Sequence, residues 1–211
     1  MTSGTGAAPR VGVLDYGSGN LHSACRALEA AGGRVILSAD HDELTRCDKL
    51  VLPGVGAFTA CIDQLRSVGG DDLVAGWVAN ERPLLAICVG HQVLFDRGVE
   101  HGVDTPGLGL LPGAVEQLNA RPLPHMGWNT VEAPATSRAF NGVAGERFYF
   151  VHSYGVRAAA NGLENTLVTW SEHGGDRFVA AVEKGSVTST QFHPEKSGPA
   201  GGTLLANWVI G

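Results

Sequence analysis

The chain has 211 residues, a formal net charge of −6, 44% hydrophobic and 17% charged residues, and 30 glycines. That length suits one domain with a sizeable core, and the composition is that of a globular α/β protein rather than a disordered or fibrous one. No Lys/Arg cluster follows a phosphate backbone, no apolar run reaches the ~20 residues that span a bilayer, and Met1 to Arg10 lacks a signal-peptide core. Nucleic acid and membrane are therefore excluded as partners, and the expected address is the cytoplasm.

Residues 1–9 read as a polar leader ahead of a single domain over 10–211. Arg10 to Asp15 is a short β-branched run closed by Tyr16-Gly17-Ser18-Gly19-Asn20, and Leu21 to Ala31 is helical up to Gly32-Gly33. Arg34 to Leu37 and Leu50 to Leu52 are strands, and Ala60 to Arg66 and Leu73 to Asn80 are helices. Leu84 to Cys88 is an apolar strand feeding a helix over Gln92 to Arg97. This alternation predicts an open, mostly parallel sheet flanked by helices, with ligands outside the carboxyl ends of its strands. From about Gly109 the runs shorten between Pro and Gly. Val115 to Leu118, Arg147 to Val151, Leu167 to Trp170, Phe178 to Glu183 and Val187 to Gln191 predict a largely antiparallel, strand-rich part before a closing helix over Thr203 to Ile210.

Four cysteines, Cys25, Cys47, Cys61 and Cys88, form no C-x-x-C pair and no zinc spacing, so no metal or cofactor is expected. Cys88 differs from the others in its setting. Ala86 and Gly90 stand two places to either side of it, where a buried strand turns into a helix, and such a turn needs small flanking residues. A cysteine there is either an exposed nucleophile or an inert core thiol. Downstream, His193-Pro194-Glu195 offers a base and a carboxylate to orient it, the remaining parts of a triad, although a short string of this kind also occurs as a surface turn. Pro53-Gly54-Val55-Gly56 ends a strand with backbone N–H groups open to a ligand. It suits an oxyanion hole completed by the Val89 N–H and does not fit a dinucleotide or P-loop spacing.

Pro53 to Gly56, Cys88 to Gln92 and His193 to Glu195, in that order, resemble the pattern of the class I glutamine amidotransferases. Asp15 to Leu21, Pro124 to Asn129, Phe150 to Tyr154 and Phe192 to Gly198 narrow the resemblance to the glutaminase subunits of imidazole glycerol phosphate synthases. Two positions depart from that pattern: Ala86 replaces a usual glycine and His91 a usual methionine. The resemblance implies that Cys88 attacks the glutamine amide, with His193 and Glu195 completing the triad. It also implies that Gly54, Val55, Gly56, Val89, Gln92, His152, Ser153 and Tyr154 form the oxyanion and substrate site. Asn20, His125, Met126, Gly127, Trp128, Asn129 and Lys196 would face a separate cyclase subunit, a (β/α)₈ barrel bound as a heterodimer and supplied with ammonia for histidine biosynthesis. A glutaminase subunit of another pathway, a silent amidotransferase-like regulator and a cysteine peptidase stand as alternatives. The Trp128 region, the intact Cys88, Gln92, His193 and Glu195 set, and the late position of His193 speak against them in turn.

Overall fold

The computed structural model describes residues 7–19, 21–157 and 166–211. The first six residues of the expected leader, and Asn20, lie outside them. The first half alternates as expected: β1 (Arg10–Leu14), α1 (Leu21–Ala30), β2 (Arg34–Ser38), α2 (His41–Thr45), β3 (Lys49–Leu52), α3 (Phe58–Ser67), α4 (Gly70–Ala79), β4 (Leu84–Ile87) and α5 (Val89–Val93). β4 is buried along its whole length, which explains its unbroken apolar sequence. α1 buries Leu21, Ala24 and Leu28, a three-and-four spacing that keeps one face against the sheet. The short α2, not foreseen in the sequence, starts at Asp40, whose Oδ1 accepts the N–H groups of Asp42 at 2.8 Å and Glu43 at 3.3 Å.

The second half is strand-rich: β5 (Phe95–Glu100), β6 (Val103–Pro106), β7 (Leu111–Gln117), β8 (His125–Thr130), β9 (Arg147–His152), β10 (Tyr154–Val156), β11 (Leu167–His173), β12 (Asp176–Lys184) and β13 (Val187–Thr190). A 3₁₀ turn (Pro194–Lys196) and α6 (Gly198–Ile210) close it. The main sheet has seven strands in the order β11-β12-β13-β4-β3-β1-β2. It is parallel from β13 to β2 and antiparallel across β11, β12 and β13. A four-stranded sheet, β10-β7-β5-β6, and the pair β8-β9 form separate sheets that pack against its antiparallel edge. One core packs around the parallel strands. A second joins Phe140, Phe148, Phe150, Phe178 and Phe192 beneath the antiparallel part.

The helix expected over Gln92 to Arg97 is a correction. α5 ends at Val93, and Phe95 to Glu100 is a strand pairing in parallel with β7 and antiparallel with β6. Val93, Leu94 and Phe95 are all buried and could belong to either element, so long-range pairing decides. Gly98 enforces the strand by lying on the Phe58 ring, where a Cβ would approach to 2.5 Å. β6, β8 and β10 were also not foreseen in the sequence. Among the described residues no helix is long and apolar enough to cross a membrane.

Candidate active site

The site is built where β4 and β13 end side by side. β4 pairs with β3 and β13, and its next residue, Cys88, has φ 57° and ψ −112°, a conformation costing a non-glycine residue on the order of 1–3 kcal/mol. The bend is held by the Cys88 N–H donating to Thr190 O at 2.7 Å and by the Gln92 N–H donating to Cys88 O at 3.1 Å. Two glycines make it possible. A Cβ at Gly90 would stand 2.2 Å from Leu52 O, and one at Gly54 would stand 2.2 Å from Gly90 N, so the turn after β3 and the elbow after β4 touch backbone to backbone.

The parallel register of Thr190 with Ile87 brings the end of β13 to Cys88. Phe192 turns into the second core, 4.4 Å from the Phe148 ring. Alternation then turns Gln191 and His193 the other way, toward the cysteine. The 3₁₀ turn folds Glu195 back, so that the Nδ1–H of His193 meets Glu195 Oε1 at 2.7 Å, both side chains buried. Ser197 Oγ supports the turn, donating to His193 O at 2.6 Å and accepting the Tyr149 N–H at 2.9 Å. α6 packs so close that a Cβ on Gly201 would lie 1.9 Å from Pro194 O.

With Nδ1 engaged by Glu195, Nε2 is left for Cys88. Burial opposes charge on His193, but hydrogen bonds to Cys88 and Glu195, with the negative charge of both, outweigh it and raise its pKa from 6.5 to about 9. The imidazolium is the favoured state at neutral pH, beside the Cys88 sulfur. Cys88 and His193 open onto a cleft of about 580 Å³ lined also by Val55, Gly56, Val89, Gln92, His152, Ser153, Tyr154 and Lys196.

Four further cleft residues, Glu100, His101, Gln117 and Val151, and the cysteine's neighbour Gln191, were missed in the sequence. Gln191 Nε2 points at Cys88 Sγ from 3.9 Å and was findable, since an extended run puts it on the face of His193. Glu100 and His101 lie beyond the helix expected over Gln92 to Arg97 and gave no signal in the sequence. Glu100 also accepts the Phe58 N–H at 2.8 Å at the start of α3.

Gly54 stands behind the cleft, and its carbonyl accepts the Val89 N–H at 3.2 Å, so this donor is occupied in the conformation described. The Tyr16 hydroxyl donates to the neighbouring Pro53 carbonyl and lies 3.1 Å from Cys61 Sγ. Along β8, Met126 and Trp128 are 62% and 51% exposed, whereas His125 is buried, Gly127 has φ 132° and Asn129 is half-buried. Lys196 is exposed at the cleft edge. His91 is buried behind Cys88, with Nδ1 2.8 Å from Ser189 Oγ, no partner on Nε2 among the described residues, and a pKa pushed down to about 3 by burial. Cys25, Cys47 and Cys61 are free thiols, and burial, with nearby Cys88 adding to it, pushes Cys61 up to about 11. Among the described residues no group of three His, Cys, Asp or Glu side chains is placed to hold a metal ion.

A strained cysteine after a parallel strand, a histidine backed by a carboxylate and a glycine turn share one cleft, an arrangement chemically capable of acyl transfer. Residues 12–211 match the family glutamine amidotransferase class-I, and the chain belongs to that family of glutaminases. Among its curated relatives, "Imidazole glycerol phosphate synthase subunit HisH" of Leifsonia xyli subsp. xyli is 56% identical over 93% of this chain and 96% of its own length. The protein of the same name from Cutibacterium acnes is 58% identical over 95% and 96%. The fold also matches the structure of PurLQS from Thermotoga maritima, with a TM-score of 0.71 at 21% identity over 96% of this chain and 98% of that one.

Proposed function

We infer that this protein is the glutaminase subunit of an imidazole glycerol phosphate synthase. It hydrolyses glutamine and passes the ammonia to a separate (β/α)₈-barrel cyclase in the cytoplasm, with residues 10–211 acting as one domain. The observation that carries the reading is the strained Cys88 sharing a cleft with a His193 whose Nδ1 is held by Glu195. Identity of 54–58% to subunits of that synthase supports it.

The Cys88 thiolate attacks the side-chain carbonyl of glutamine, and the C–N bond breaks as His193 Nε2 delivers its proton to the departing ammonia. Neutral His193 then takes a proton from water, which adds to the glutamyl thioester and releases glutamate and the thiol. Glu195 keeps the proton-bearing Nδ1 turned away, so that Nε2 does the transfer. Glu100, the acidic group of the cleft, suits the α-ammonium of an amino-acid substrate.

The tetrahedral intermediate needs donors that are not free in the resting arrangement. A half-turn of the Gly54–Val55 peptide withdraws the carbonyl from Val89 and sets the Val55 N–H beside it, giving two donors each worth ~10²–10³ in rate. Gly54 begins that peptide, and Gly56, with φ 87°, follows Val55 at its other end, so the segment around it is free to turn. Docking of the cyclase against Met126, Trp128 and Lys196 stabilises the turned form, with Asn20 and the rest of the His125 to Asn129 strand beside it. Ammonia released at Cys88 then enters a second active site without passing through solvent.

Glutaminase assays with and without a co-expressed cyclase and its nucleotide substrate test this. The isolated subunit is expected to be weak, the complex strong, and Cys88→Ala inactive while still binding the cyclase. Full hydrolysis by Cys88→Ala would exclude the assignment, and strong hydrolysis by the isolated subunit would exclude the docking-dependent peptide turn.

A further inference from the structure

β8 hides a polar chain behind its exposed face. Asn129 Nδ2 lies 3.2 Å from His125 Nε2, His125 Nδ1 lies 3.0 Å from His152 Nε2, and His152 Nδ1 lies 2.9 Å from the carbonyl oxygen of Tyr154. Both histidines are buried. His125 is stacked between the rings of Phe150 and His173, at 4.8 and 4.3 Å.

The two ends of this chain dictate its polarity independently. A carbonyl only accepts, so His152 must carry its proton on Nδ1, which leaves Nε2 an acceptor and requires a proton on His125 Nδ1. At the other end, Asn129 Oδ1 accepts the Thr130 N–H at 2.9 Å and Nδ2 donates to Glu172 O at 2.8 Å, so the group facing His125 Nε2 is a donor. Both routes give the same answer: two neutral imidazoles, each in the Nδ1–H form. A second proton on either ring would set donor against donor. Burial acts in the same direction, holding His125 near 4 and His152 near 3.

The Tyr154 carbonyl also accepts from Gln92 Nε2 at 2.8 Å, and the same nitrogen donates to Gln191 Oε1 at 2.9 Å. Both amide hydrogens of Gln92 are thereby used inward, leaving its oxygen for the cleft it lines. The geometry points to His125 and His152 as positioning residues for substrate recognition, a relay of fixed polarity from Asn129 to Tyr154 that sets Gln92 with its carbonyl oxygen toward the cleft. Gln92 then recognises a donor such as the ammonium of an amino acid. With glutamine as that amino acid, the inference rests on the glutaminase reading above. The relay lies on the inner face of the strand that carries Met126 and Trp128 outward, so displacement of β8 reaches the substrate site through hydrogen bonds.

Two measurements test this. In the full chain labelled with [¹⁵N]histidine, long-range ¹H–¹⁵N correlation at pH 7 should show His125 and His152 as neutral Nδ1–H tautomers. An Nε2–H or charged ring at either position would overturn the relay, whatever the enzyme's activity. In the complex with cyclase, His125→Phe keeps the ring stack but removes the donor to His152. Its KM for glutamine should rise about 10-fold, the worth of one ordered hydrogen bond, with kcat within about twofold. His125→Asn, with a donor at the δ position, should recover most of the loss. A natively folded His125→Phe with unchanged KM, shown folded by circular dichroism, would overturn the positioning role. A wild-type complex without glutaminase activity would instead defeat the functional reading and leave the tautomer result to decide the relay alone.

Discussion

Glu195→Gln tests the physical core of the site, because it removes a charge and changes little else. Burial alone would lower the His193 pKa, yet it stands at about 9 against an ordinary 6.5, a net preference for the imidazolium on the order of 3 kcal/mol. Two hydrogen bonds and two charges supply that preference, and Glu195 provides one of each, at 2.7 Å and shielded from water. A charge-assisted bond of this kind is worth about 1.5–3 kcal/mol, so the glutamine variant should lose about one to two pH units from the alkaline limb of kcat/KM. Because the side-chain amide of that variant can also turn its nitrogen toward Nδ1 and favour the wrong tautomer, kcat should fall by about 10²-fold or more. Stability has a definite sign as well. A folded-state pKa raised above the unfolded value contributes stability fully present below about 6.5 and lost as pH rises through about 9, so wild-type melting temperatures should drop across that window more steeply than those of the variant. The assay is a pH series of glutaminase rates and thermal melts on both proteins in complex with cyclase. An alkaline limb that stays in place, with kcat within about threefold, would refute the argument that Glu195 holds the proton on His193.

Gly201→Ala should displace the Pro194 turn, since its Cβ would fall 1.9 Å from Pro194 O, a backbone atom that cannot rotate away. Overpacking of this kind costs about 1–3 kcal/mol, and urea unfolding should show that loss together with a fall in kcat as Glu195 shifts. The double variant His91→Met with Ser189→Ala removes the unpartnered Nε2 and both members of its one hydrogen bond. Stability should rise by about 1 kcal/mol with glutaminase activity retained, and a loss of stability in chemical denaturation would show that the orphan nitrogen is satisfied in solution.

The parallel half of the fold was readable because its strands are short, apolar and separated by amphipathic helices, so the period and the topology agree. β5 was not, because Val93-Leu94-Phe95 fits a buried helix as well as a strand, and pairing with β7 supplies what the local pattern lacks. β8 was hidden for another reason. Its alternation places His125 and Asn129 inside and Met126 and Trp128 outside, reversing the usual chemistry of the two faces. The geometry around Cys88 was easier to read, since an elbow demands small residues there and a tight turn links His193 to Glu195. Gln191 and Glu100 were harder to place beside the cleft, because their positions depend on contacts between residues far apart in the chain, such as Cys88 and Gln191, separated by 103 positions.

The place of β13 in the sheet has a consequence for the birth of the enzyme. It lies between β4 and β12, and it is the last strand made. A nascent chain extended only to residue 186 carries Cys88 at the end of a strand whose β13 edge is bare, with His193 and Glu195 not yet synthesised. Such an edge invites pairing with other chains, so the interval before β13 inserts is when aggregation and chaperone capture compete with folding. Insertion closes that gap and leaves His193 and Glu195, which follow β13 directly, to fold onto Cys88 with the Pro194 turn and α6.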